Sequence, residues 1–329
     1  MLSKLELEEY SARHNLTPAA IAYIQSAREA PSRMIGEHAS SNVCTWRESQ
    51  RTHQYIGAES HTVERAFFIL EEERSDCLEL WDQCPQEFFT RHDKNGRSIR
   101  CPYTPDYITL RESGPVVIEC KDEGELHGLC ASYPDDWVRQ SDGDFRNLAA
   151  EKHFQNLGFK FEVFAYTKEL RFHVQNLIFL IRSRYATTES RISSKISGVF
   201  AKSFFWSMYD LKEELDLKDY TPLFHLIDQG VLYFNIHKEL LSCPTGCYLV
   251  QNKDFLGRVS EFISRKMYDG QRVDLPTSRV VPSESEAKRV LDRLDSLKSG
   301  ASNRSIRRWR KLIKEGEKKG LSEFQSLIL

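Results

Sequence analysis

The chain reads as an α/β protein: a mixed sheet flanked by helices, then a winged-helix-like domain, then a basic C-terminal helix-turn-helix. Three observations predict this. Two runs rich in β-branched and aromatic residues, 103–108 and 116–121, flank a turn at Gly114-Pro115. An amphipathic stretch over 145–157 stops at Gly158 and leads into a strand pattern over 159–164, an αβ closure that would cover the sheet. Beyond residue 170 the apolar spacing turns helical, and the chain ends on a segment dense in arginine and lysine.

Taken in order, residues 1–30 predict helices, with Thr17 as a cap, Pro18 at the first helical position, and Ala20, Ile21, Ile24 and Ala27 as an apolar stripe. Residues 32–58 are polar and aperiodic, as in an extended arm or loop. Ser60 is placed to cap a helix in which Val63, Ala66, Phe67 and Leu70 recur at i, i+3, i+4 and i+7. A helix is expected to carry Val174, Leu177, Leu180 and Ile181, and another to run over about 196–215. Residues 221–229 predict a short helix stopped by Gly230, and 231–236 a strand directly after it; that order is the winged-helix pattern. Near the end, 287–297 and 303–314 predict two helices joined by a turn at 299–302, with Ile306, Trp309 and Ile313 facing inward. The resulting division is 1–58, a helical segment and arm; 59–166, the α/β core; 167–250, the winged-helix-like domain; 251–283, a linker; and 284–329, the helix-turn-helix.

The net charge of −2 provides no global attraction for nucleic acid, but the total hides an asymmetry. Residues 301–329 carry eight basic side chains against three acidic ones, hence +5, which leaves −7 for residues 1–300. Arg304, Arg307, Arg308, Lys311 and Lys314 cluster on one side of the last predicted helix, suited to phosphate contacts and groove entry on double-stranded DNA; a merely solvated basic face is the alternative. No apolar run is long enough to span a membrane, and the N-terminus lacks the layout of a signal peptide. The eight cysteines are scattered, which suits reduced thiols in cytoplasm; the close pair Cys243 and Cys247 reads as a turn rather than a zinc site, since no adjacent ligands complete it.

The densest chemistry lies between residues 103 and 121. Side chains alternate along a strand, so Glu119 and Lys121 project from one face while Ile118 and Cys120 project from the other. With Asp106 on the neighbouring strand, this is the kind of cluster that hydrolyses a phosphodiester. Asp106 and Glu119 would bind Mg²⁺, with Mn²⁺ able to substitute, and the Cys120 backbone carbonyl could add a ligand. Lys121 would orient or activate water, or neutralise the charge on the phosphate. Glu64, on the border of the apolar helix stripe, would complete the metal shell or position a second ion; a solvated border residue is the alternative.

These residues also carry a resemblance. Pro105-Asp106 followed by Glu119-Cys120-Lys121 resembles the PD-(D/E)xK nuclease signature. The run from Glu59-Ser60-His61 through Glu64 to Glu71 resembles a characteristic helix of the TnsA family, the endonuclease subunit of heteromeric transposases. Gln83-Cys84-Pro85 stands where that family has a Gln-Pro pair, and Pro31-Ser32-Arg33 resembles its N-terminal segment. Cys120 is a departure, since an aliphatic residue is more usual there; it is expected to act as a small apolar core residue.

The resemblance implies a restriction-endonuclease-like core that cuts at transposon 5′ ends in the bacterial cytoplasm. It also implies a TnsB-type transposase and a TnsC-type AAA+ ATPase as partners, the latter met by the winged-helix-like domain. Residues 300–320 resemble the N-terminal DNA-binding region of TnsB, as in transposons, CRISPR-associated ones included, that encode the two subunits as one fused chain. A reading frame continuing past Leu329 is therefore expected. The rival readings are a stand-alone restriction or defence nuclease and a non-catalytic adaptor bridging DNA and the ATPase.

Overall fold

The computed structural model describes residues 1–29, 45–58, 60, 62–82, 84–93, 96–184, 192–268, 271–276, 281–299 and 304–328. Glu59, His61, Gln83 and the Pro31-Ser32-Arg33 segment lie outside the described residues, as does the side chain of Arg304. The chain divides into two compact units, Met1–Val174 and Gln175–Leu329.

The first unit opens with helices α1 (Lys4–Arg13) and α2 (Pro18–Glu29). Ser3 and Glu6 form a capping box on α1, and the Thr17 hydroxyl accepts the Ala20 N–H at 3.1 Å to start α2. Where an arm or loop was expected, β1 (Thr45–Glu48) and β2 (Tyr55–Ala58) pair as a hairpin. Then come α3 (Val63–Glu72), β3 (Cys77–Asp82), β4 (Glu87–His92), β5 (Ser98–Tyr103), β6 (Tyr107–Arg111) and β7 (Gly114–Asp122). They are followed by α4 (Glu123–Ser132), β8 (Trp137–Arg139), β9 (Phe145–Asn147), α5 (Leu148–Leu157) and β10 (Lys160–Tyr166). Helix α6 (Lys168–Ser183) follows, its residues from Gln175 onward belonging to the second unit.

The central sheet has strand order β10-β7-β6-β3, with β10 parallel to β7 and the other pairs antiparallel, so it is mixed. Strands β6 and β7 are buried over nearly their whole length, and their apolar runs provide the core between flanking helices. On one face α3 brings Phe67 against Tyr107 and Phe164, ring centroids 5.0 and 5.3 Å apart. On the other, Phe154 of α5 stacks on Phe161 of β10 at 5.6 Å, with Tyr23 of α2 edge-on to Phe154. The N-terminal helices therefore belong to this core.

Local chemistry accounts for the departures from expectation. Pro105 has no N–H to give a ladder, and the 103–108 run splits there into the end of β5 and the start of β6. The β6–β7 turn is made by Glu112 and Ser113, not Gly114-Pro115; Gly114 opens β7 at φ +127, a conformation that favours glycine. Helix α3 begins at Val63, but the Ser60 hydroxyl still accepts the Val63 N–H at 3.0 Å. Asn147, pairing in the β8–β9 hairpin, caps α5 through Ala150 N–H, so that helix starts later than the 145–157 pattern implies.

In the second unit α7 (Ile192–Phe200), β11 (Phe205–Ser207) and α8 (Met208–Glu214) replace the single helix expected near 196–215. The aromatic run Phe204-Phe205-Trp206 favours a strand, and Ser207 caps a new helix by accepting the Asp210 N–H. Helix α9 (Thr221–Asp228) ends before Gly230, at φ +68. The strand expected over 231–236 reduces to one bridge, Tyr233 with Val250, and β11 pairs instead with β12 (Tyr248–Val250).

The described residues of the expected linker form elements too: short 3-10 turns bury Phe255, Val259 and Phe262, and β13 (Ile263–Tyr268) pairs with β14 (Gln271–Pro276). Helices α10 (Glu284–Lys298), α11 (Arg304–Glu317) and α12 (Glu323–Ser326) close the unit. Val290, Leu294 and Phe324 share one core cluster with Phe204, Phe255 and Phe262, so the basic segment is built into this unit. The α11–α12 packing requires a glycine at 316, where a Cβ would lie 1.9 Å from Ser326 Oγ.

Candidate metal centre

Hairpin β6–β7 positions the central residues. Its register pairs Tyr107 with Ile118, which brings Asp106 and Glu119 side by side at the open end of the ladder. The Asp106 N–H donates to the Ile118 carbonyl at 3.1 Å, and Asp106 Oδ2 accepts the Cys120 N–H at 2.7 Å. Glu119 is buried, with Oε1 2.6 Å from Lys121 Nζ and its other oxygen accepting the Tyr103 hydroxyl. Lys121 Nζ also lies 3.4 Å from the Cys120 carbonyl, the group expected to add a ligand. The Cys120 thiol is buried with its pKa raised by that burial, in keeping with a small core residue.

Glu64 stands in the first turn of α3, half-buried, and the Tyr107 hydroxyl lies 3.4 Å from its carbonyl. Strand alternation puts Tyr107, Ile118 and Cys120 on the face that α3 covers, and Glu119 and Lys121 on the opposite one, while Asp106, just before β6, turns its carboxylate onto the Cys120 N–H. Glu64 is near enough for its charge to act on Asp106.

Electrostatics follow this crowding of carboxylates. Burial, then the charges of Glu119 and Glu64, push the Asp106 carboxyl well above its usual range; Lys121 and the Cys120 N–H oppose the rise. Burial works against the Lys121 ammonium, but Glu119 and Asp106 outweigh it and hold its pKa above the ordinary lysine value.

A further carboxylate, Asp82 at the end of β3, belongs to the same neighbourhood and was not singled out from the sequence. It is 8% exposed, accepts the Gly57 N–H at 3.0 Å, and has its pKa raised to about 6 by burial, with Glu64 adding to the rise. The available signal was a lone acidic residue ending the apolar run Leu80-Trp81. Tyr103, whose hydroxyl donates to Glu119, is a second residue of this neighbourhood that the sequence does not single out.

Carboxylates and a peptide carbonyl are the hard oxygen donors that suit Mg²⁺ or Mn²⁺. In the arrangement described, one Glu119 oxygen faces Lys121, the other Tyr103, and Asp106 Oδ2 faces a backbone amide. Among the described residues no group of three or more His, Cys, Asp or Glu side chains is arranged to hold a metal ion.

On α11, Arg307, Arg308, Lys311 and Lys314 are exposed, while Ile306 is buried and Trp309 and Ile313 pack on the core. Cys243 is exposed and Cys247 buried, both free thiols in the loop before β12. Among the described residues no helix is long and apolar enough to cross a membrane. Comparison with protein-family models finds no match, and comparison with curated proteins finds none.

Proposed function

We propose that the chain is a metal-dependent DNA endonuclease of a cut-and-paste transposon. Its nuclease centre is Asp106, Glu119 and Lys121, with Glu64 at its border. The observation that supports this most is the hairpin geometry: Asp106 beside Glu119, and Lys121 Nζ 2.6 Å from Glu119 on the same face. Asp106 and Glu119 would hold Mg²⁺, which, when bound, lowers the pKa of a water and stabilises the leaving oxygen. Lys121 is placed to orient that water or neutralise the phosphate. Glu64 would complete the metal shell or position a second ion, and its charge acts on Asp106.

By the TnsA resemblance, cleavage falls at transposon 5′ ends together with a TnsB-type transposase and a TnsC-type ATPase in the bacterial cytoplasm. The exposed face of α11 contacts DNA. One observation favours the rival adaptor reading: Glu119 is engaged by Lys121 and Tyr103 in the arrangement described.

Calorimetric titration of Mn²⁺ or Mg²⁺ into the full chain and its Asp106→Ala variant separates the two. Binding lost in the variant is expected, and justifies reconstituting cleavage with transposase and ATPase. Equal, weak binding in both, with DNA present as well as absent, would put the adaptor ahead.

A further inference from the structure

We infer that Tyr103 is a positioning residue of the metal centre, holding Glu119 in the rotamer that faces Asp106. The inference rests on the metal-nuclease reading above and adds a residue to it. Tyr103 ends β5, and its hydroxyl donates to one oxygen of Glu119 while Lys121 takes the other.

The Tyr103 ring is fixed by elements on several sides. Its centroid lies 5.1 Å from Phe89 of β4, 6.2 Å from Phe154 of α5 and 6.3 Å from Phe161 of β10. Phe154 and Phe161 are themselves stacked. An aromatic ring in such a frame has little freedom, so its hydroxyl is a fixed point against which a flexible glutamate can be set.

The two Glu119 contacts differ in what a cation does to them. Mg²⁺ or Mn²⁺ held by Glu119 would compete with the Lys121 ammonium for this carboxylate, because both are cations seeking its oxygens. The Tyr103 hydroxyl would keep its place on Oε2. Tyr103 therefore leaves Glu119 one oxygen to offer and fixes where that oxygen points. Outer-shell hydrogen bonds to metal-binding carboxylates act in this way, and losing one weakens metal affinity by about 10- to 100-fold.

Tyr107 supplies the control. It is fully buried beside the same cluster, but its hydroxyl lies 3.2 Å from the Gly57 carbonyl and 3.4 Å from that of Glu64, both backbone groups. Tyr103→Phe and Tyr107→Phe each remove one buried hydroxyl and keep the ring, so a general packing effect touches both.

The test is Mn²⁺ binding by calorimetry and the Mn²⁺ electron paramagnetic resonance line shape. It uses the full chain and its Tyr103→Phe, Tyr107→Phe and Asp106→Ala variants. Tyr103→Phe is expected to weaken binding by about 10- to 100-fold and to alter the line shape, while Tyr107→Phe leaves both near those of the unaltered chain. Unaltered affinity and line shape in Tyr103→Phe, with binding still lost in Asp106→Ala, overturns the role of Tyr103 and leaves the metal centre standing. Equal losses in both tyrosine variants also overturn it, by assigning the effect to packing. No Mn²⁺ binding by the unaltered chain overturns the metal centre and this inference together.

Discussion

The Lys121 ammonium stands 2.6 Å from Glu119 Oε1, two residues away along β7, and both side chains are largely buried. A cation already sits where the proposed cofactor would bind, and it partly neutralises a cluster of Asp106, Glu119 and Glu64. Lys121→Ala removes both the competitor and that neutralising charge. The variant is expected to bind Mn²⁺ at least as tightly as the unaltered chain. DNA cleavage, measured with the proposed partners, should fall by about 100-fold or more, the usual scale for losing a group that stabilises transition-state charge. If Mn²⁺ binding disappears with the lysine, Lys121 assembles the site rather than acting in the reaction.

Asp82 gives the first unit a pH dependence whose sign can be worked out. Its carboxyl has an unfolded value of 3.8 and a folded value of about 6, so the folded state holds the proton more tightly. The stability this confers is fully present below pH 3.8 and is lost as pH rises through about 6. The shift corresponds to roughly 3 kcal/mol at most. Asp82→Asn keeps a carbonyl oxygen to accept the Gly57 N–H and cannot ionise. In metal-free buffer, urea midpoints of the unaltered chain are expected to drop between about pH 4 and pH 7, and those of the variant to drop less. Parallel curves would show that Asp82 is ionised at little cost.

What the sequence made legible was whatever depends on local period or local chemistry. Glu119 and Lys121 share a face because strands alternate, α5 stops because Gly158 adopts φ +97, and Thr17 caps α2 because its hydroxyl has an orphan N–H in reach. What depends on packing was not legible. Asp82 joins the acidic neighbourhood only because β3 pairs with β6, a pairing between residues well separated in the chain. Which side of the sheet Glu64 approaches from was equally hidden, since helix periodicity shows an inward face but not the face of the sheet it meets. The stretch over 251–283 reads as a linker in the sequence. Phe255, Val259 and Phe262 are nonetheless buried among aromatics from Phe204 to Phe324.

Away from the proposed centre, Arg111 ties the sheet to its neighbours through a buried network. Its guanidinium donates to Glu71 at 2.7 and 3.0 Å and to Glu162 at 2.8 Å, and the Thr109 hydroxyl donates to Glu71 at 2.9 Å. Breaking this pair from one side leaves the buried Glu71 carboxylate to the exposed Arg74, 3.7 Å away, whereas replacing both members removes the problem. Arg111→Met is expected to destabilise the chain by about 3–5 kcal/mol, read as a fall in the urea midpoint. The double variant Glu71→Gln, Arg111→Met should recover much of that loss. Additive losses would show that the guanidinium acts through packing and its other partners rather than through Glu71.

The basic face of α11 can be tested without knowing any recognition sequence. Arg307, Lys311 and Lys314 recur at helical spacing, and they and Arg308 are all exposed, as a phosphate-contacting surface requires. Each phosphate neutralised releases condensed counterions, so the slope of log K against log salt reports how many phosphates the protein engages, whatever the base sequence. Replacing Arg307, Arg308 and Lys311 by alanine should weaken binding to a duplex of arbitrary sequence. The magnitude of the slope should fall by about one for each phosphate no longer neutralised. Fluorescence anisotropy across a salt series measures both quantities. A slope unchanged by all three substitutions would leave α11 as a solvated basic helix, and the proposed DNA interface would have to be sought elsewhere in the chain.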